Sequence, residues 1–128
     1  GVAETIPELA AAGHTLAVAT GKSAHGLARA LDTCGLGPHF AATRCADQTH
    51  SKPHPAMVLE LLEELGVAPG RALVVGDTSH DLLMAANAGV DSLAVAYGAH
   101  EAADLAPHAP RAILHSFAEV RAWLAANA

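Results

Sequence analysis

Asp77 and Asp81 stand four residues apart, directly after the apolar run Ala72-Leu73-Val74-Val75-Gly76. Paired carboxylates at the end of such a run suit a hard cation such as Mg²⁺, which prefers oxygen ligands and often recruits a substrate phosphate. The run itself reads as a strand buried on both faces, as in a parallel sheet. Ligands of such sheets sit beyond the carboxyl ends of the strands, where Gly76 and Asp77 fall. Metal-assisted phosphoryl chemistry is the functional reading. The plainer one is that Asp77 or Thr78 caps a helix and Asp81 is a first-turn acid favoured by the helix dipole.

Two further segments carry polar groups in apolar surroundings. Ala17-Val18-Ala19 runs into Thr20-Gly21-Lys22-Ser23. The Thr20 hydroxyl and the neighbouring backbone N–H groups would hold a phosphate at the start of the next helix, unless Thr20 or Ser23 merely caps it. Ser51-Lys52-Pro53 lies just before another helix. Lys52 is one of two lysines, with Lys22. It would neutralise phosphate as a point charge, or be a solvated surface lysine.

Alternating helix and strand patterns position these segments. Helices are expected over Glu4–Ala12, Ser23–Cys34, Pro55–Leu65 and Ser79–Ala88, with glycines 13, 35, 66 and 89 directly after them as stops. Strands are expected over His14–Thr20, Phe40–Thr43, Arg71–Gly76, Asp91–Ala96 and Ala112–His115. A last helix is opened by the capping-box sequence Ser116-Phe117-Ala118-Glu119, and Tyr97–Pro110 reads as a long connection with one helical turn. Strands separated by helices imply right-handed crossovers and a mostly parallel sheet with helices on both faces. The expectation is one α/β domain over residues 1–128.

Composition narrows the partners. The chain is 52% hydrophobic but only 3% aromatic, so its core is built from small aliphatic side chains. Its formal charge of −6, with seven Lys and Arg scattered along it, offers no basic stripe for nucleic acid. No apolar run is long enough for a membrane span. Two cysteines, Cys34 and Cys45, make neither a disulfide framework nor a Cys-x-x-Cys site. With no signal-peptide pattern at Gly1–Glu4, a cytoplasmic protein is the expectation. His50 and His54 with Cys45 invite a zinc reading, but Pro53 and Pro55 keep the two histidines off one helical turn. His80, between the two acids, reads as an exposed first-turn histidine. Tyr97-Gly98 reads as a turn beside the pocket or a plain turn.

In this order and at these spacings, the three segments resemble motifs of the haloacid dehalogenase-like hydrolase superfamily, and most nearly its phosphoglycolate phosphatase-like members. Strand-Thr-Gly is similar to the second motif, Ser-Lys-Pro to the third, and Val-Val-Gly-Asp-x-x-x-Asp followed by Ala-x-Asn-Ala-Gly to the fourth. The resemblance implies a three-layer, Rossmann-like core and a Mg²⁺-dependent phosphatase that acts on small phosphorylated metabolites through an aspartyl phosphate. It implies that Thr20 and Gly21 hydrogen-bond the phosphoryl group and that Lys52 balances its charge. Asp77 would ligate Mg²⁺, and Asp81 would be a second ligand or an outer acid orienting Lys52 or a bound water.

The chain departs from that pattern in one respect. The family's first motif, Asp-x-Asp on a central strand, occurs nowhere in the sequence. The resemblance therefore implies the C-terminal part of a longer enzyme, in which the strands ending in Thr20 and Asp77 either pair directly or leave open edges, with little turnover from these residues alone. Open strands favour self-association. The alternative is a non-catalytic metal- or phosphate-binding or interaction module on the same fold. A response-regulator-like phosphoacceptor with Asp77 as the target is disfavoured, since Lys52 precedes the Asp77 strand.

Overall fold

A computed structural model describes residues 2–45, 47–49, 52, 54–96 and 105–127. Five short strands alternate with helices. The strands are β1 (Ala17–Thr20), β2 (Ala42–Cys45), β3 (Leu73–Gly76), β4 (Asp91–Val95) and β5 (Ala112–Leu114). The helices are α1 (Val2–Ala11), α2 (Ala24–Cys34), α3 (Ala56–Leu65), α4 (Ser79–Asn87) and α5 (Glu119–Asn127). Short 3₁₀ turns span Gly37–His39, Pro69–Arg71 and Ala106–His108. Gly35 and Gly66 close α2 and α3 in the left-handed region, at φ 71° and 66°, as their positions in the sequence imply.

All pairing among the described strands is parallel, but the sheet is split. β1 pairs with β2, Ala17 opposite Ala42 through Thr20 opposite Cys45. β3, β4 and β5 form a separate sheet in that order. Helices cover two faces with period-2 alternation. Leu73, Leu93, Val95, Ala112 and Leu114 face Leu9 of α1 and Val120, Trp123 and Leu124 of α5. Val74 faces the other way, onto Met57 and Val58 of α3 and Met84 of α4. Ala19 of β1 packs on that same cluster, so one helical layer supports both sheets although β1 and β3 do not pair.

Several expected boundaries shift, each for a local reason. The second strand begins at Ala42 rather than Phe40, because Gly37–His39 forms a 3₁₀ turn that Phe40 closes by donating its N–H to the Gly37 carbonyl. The first begins at Ala17 rather than His14, limited to the register β2 offers. The last helix begins at Glu119, not after Ser116. The Glu119 carboxylate accepts from the His115 N–H instead of closing a box with Ser116. The strand ending in Gly76 was expected to be buried on both faces, yet Val75 is 36% exposed, and Ala17 of the first strand is exposed as well. Both strands border the split, which leaves one edge of each unpaired. Ser51, Pro53, His50 and Tyr97-Gly98 lie outside the described residues.

Candidate active site

The turn from β3 into α4 is held by Asp81. Thr78 is the N-cap of α4, its hydroxyl accepting from the Asp81 N–H at 3.3 Å. In return one Asp81 oxygen, Oδ2, accepts from the backbone N–H of Asp77 and of Thr78, each at 3.2 Å, and from the Thr78 hydroxyl at 3.0 Å. The reciprocal arrangement is a capping box with Asp in place of the more usual Glu or Gln. The other oxygen, Oδ1, lies 2.5 Å from Lys52 Nζ. Asp81 is buried, its side chain 8% exposed, and that of Lys52 is 21% exposed. The structural and the chemical readings of the sequence thus meet in one residue: Asp81 is a first-turn acid and also the partner of Lys52.

Gly76 permits this approach. A Cβ there would stand 2.2 Å from the Asp81 Cβ and 2.8 Å from Oδ2, so only glycine lets the strand end lie against the carboxylate. The Asp77 side chain takes no part in the network around Asp81. It stands half-exposed at the strand's carboxyl end, beside the exposed His80.

Thr20 ends β1. Its Oγ1 accepts from the Lys22 N–H at 3.2 Å, which leaves the hydroxyl proton free to be donated outward. The next helix is capped twice. Ser23 Oγ accepts from the Gly26 N–H at 3.0 Å. Both Asp47 oxygens lie on the Ala24 N–H, at 3.0 and 3.1 Å. Asp47 sits two residues past β2, and it goes unremarked in the sequence because its partner is 23 positions away. Burial, and secondarily the Asp47 charge, push the neighbouring Cys45 thiol up from its ordinary value. On the outer side of β2, Arg44 bridges Glu60 at 3.0 Å and Glu64 at 2.7 Å, and Glu60 also accepts from Thr49. These bonds hold Arg44 and Thr49 against α3.

The sequence-selected residues therefore fall into two groups. Lys52, Asp77 and Asp81 come together around the β3–α4 turn. Thr20 and Gly21 lie at the end of β1, joined to the β2 loop through Asp47. As donors to Mg²⁺ these residues fit in part. Asp81 already receives four donors, so Asp77 supplies the uncommitted carboxylate. Among the described residues no group of three His, Cys, Asp or Glu could hold a metal. Mg²⁺ commonly takes only one or two protein carboxylates, with phosphate and water completing its six ligands.

Known proteins resemble this chain in sequence and in fold. The sequence family described as haloacid dehalogenase-like hydrolase matches residues 1–95. A curated relative from Dickeya dadantii, "Probable phosphatase IndB", is 40% identical over 121 residues, covering 94% of this chain and 53% of its own length. The chain thus spans about half the length of that relative. Among solved structures, a "predicted phosphoglycolate phosphatase" from Haemophilus somnus superposes with a TM-score of 0.89 at 30% identity. It covers 96% of this chain and 55% of its own. A family hydrolase from Deinococcus radiodurans with bound phosphate and sodium superposes at 0.88 with 27% identity, over 97% of this chain and 57% of its own. With the family matched over most of its length and the fold shared throughout, this chain belongs to the haloacid dehalogenase-like hydrolases.

Proposed function

We propose that this chain is the core portion of a Mg²⁺-dependent phosphatase of small, phosphoglycolate-like phosphomonoesters, working in the cytoplasm through an aspartyl phosphate. The observation that carries the reading is the Lys52–Asp81 pair. A buried carboxylate with three further donors aims an ammonium at the strand ends, and two N–H donors of Lys52 stay available for phosphoryl oxygens. The Thr20 hydroxyl and the Gly21 N–H would bind the remaining oxygens. Asp77 would hold Mg²⁺, which when bound supplies positive charge where phosphoryl transfer needs it. Asp81 acts only through Lys52 and the turn, and is a positioning residue.

The nucleophile is the missing part, since no Asp-x-Asp occurs in these 128 residues. The chain is therefore expected to bind phosphate without turning over an ester. Titration of inorganic phosphate with Mg²⁺, followed by amide NMR, should shift Thr20, Gly21 and Lys52, and Asp77→Asn should weaken the effect about tenfold. No shift at these residues would overturn the reading. Hydrolysis of p-nitrophenyl phosphate that depends on Mg²⁺ and is lost in Asp77→Asn would instead place a nucleophile within the chain. Phosphate binding without hydrolysis, even when longer forms of the protein are assayed, would favour a non-catalytic binding module.

The split sheet supports a second expectation. Among the described residues β1 and β3 each present an unpaired edge, and an open parallel edge is a template for another strand. Sedimentation at increasing concentration should show reversible self-association. A monomer at every concentration, up to the millimolar range, would refute it.

A further inference from the structure

Asp47 ties the two halves of the candidate site together. It follows β2, on the segment leading to Lys52, and both its oxygens reach the Ala24 N–H at the start of α2. That N–H belongs to the turn carrying Thr20 and Gly21. Because Thr20 is paired in register with Cys45, the two strands end side by side, and the Asp47 carboxylate reaches across to the start of α2. The Cys45 N–H and carbonyl bond the Gln48 side chain and N–H at 2.9 and 3.0 Å, which keeps the turn bearing Asp47 tight against the strand. An acid this near a phosphate site would repel the phosphate if its charge were free. Here the charge faces the N-terminus of α2, whose dipole compensates it.

We propose that Asp47 is a positioning residue of the phosphate site, a clasp that sets the Thr20–Ser23 loop against the Lys52 loop so that one phosphoryl group can meet both. The inference rests on the phosphatase reading above, and Ser23 gives it a control. Ser23 caps the same helix from within its own loop. Its loss weakens the helix start without separating the loops.

The test compares the parent chain with Asp47→Ala, Asp47→Asn and Ser23→Ala, using amide hydrogen exchange and inorganic phosphate titration. In Asp47→Ala, exchange at Lys22 and Ala24 should quicken about tenfold and phosphate affinity should fall about tenfold. Asn, which keeps one acceptor oxygen, should recover much of both. Ser23→Ala should speed exchange at Gly26 while leaving phosphate affinity within about twofold. Equal loss of affinity in Ser23→Ala and Asp47→Ala would overturn the clasp, since capping alone would then explain both. Unchanged affinity in Asp47→Ala would overturn it too. A parent chain that binds no phosphate defeats the phosphatase reading. The exchange data still decide the clasp in that case: an unchanged rate at Lys22 in Asp47→Ala sinks it.

Discussion

Asp81→Ala should lower the unfolding free energy by about 3–5 kcal/mol, a change read from urea denaturation midpoints. The substitution strands four donors at once: the N–H groups of Asp77 and Thr78, the Thr78 hydroxyl, and the Lys52 ammonium. A buried donor left without an acceptor costs about 1–3 kcal/mol. Water reaches Lys52 at 21% exposure and softens its share, so the backbone donors carry most of the loss. Lys52→Met should therefore cost markedly less, because Asp81 keeps its three other donors. If Lys52→Met proves as damaging as Asp81→Ala, the ion pair rather than the turn holds the site. Against the roughly 5–15 kcal/mol of an ordinary domain, the loss in Asp81→Ala is large. It weighs more in a chain whose sheet is divided.

Much of this architecture was legible in residue patterns. Helix ends followed glycine, and short apolar runs between helical patterns located the five described strands to within a few residues, because those signals are local. The errors share a cause. The exposure of Val75 and Ala17 depends on whether a neighbouring strand lies alongside, which no periodicity in β3 or β1 records. The family resemblance left two outcomes for the strands ending in Thr20 and Asp77, direct pairing or open edges, and the split between β1–β2 and β3–β4–β5 among the described strands is the second. Spacing singled out Asp77 and Asp81, and the family resemblance implied that Asp81 could orient Lys52, a contact the structure contains. The site was illegible at Asp47, whose only distinction is a contact made 23 residues away. A long-range cap leaves no motif, since any acid in that loop reads as surface charge.

The role of Gly76 was also hidden in plain view, and it yields the sharpest expectation. Gly76→Ala should destabilise the chain by about 3 kcal/mol or more and loosen Lys52, although a single methyl group is added at a position of ordinary φ. A Cβ would meet the Asp81 Cβ at 2.2 Å, its Cγ at 2.7 Å and its Oδ2 at 2.8 Å. Asp81 cannot swing aside, because its Cβ is fixed to the first turn of α4 and its carboxylate is held by four donors. The clash must be relieved by moving α4 off the end of β3, which breaks the same bonds that Asp81→Ala deletes. The two substitutions should therefore be strongly non-additive. Adding Gly76→Ala to a chain that already carries Asp81→Gly should cost well under half of what it costs the parent, since the atoms it collides with are gone. Additive losses in that cycle, measured by urea denaturation, would mean that the alanine acts on the strand itself and not through Asp81.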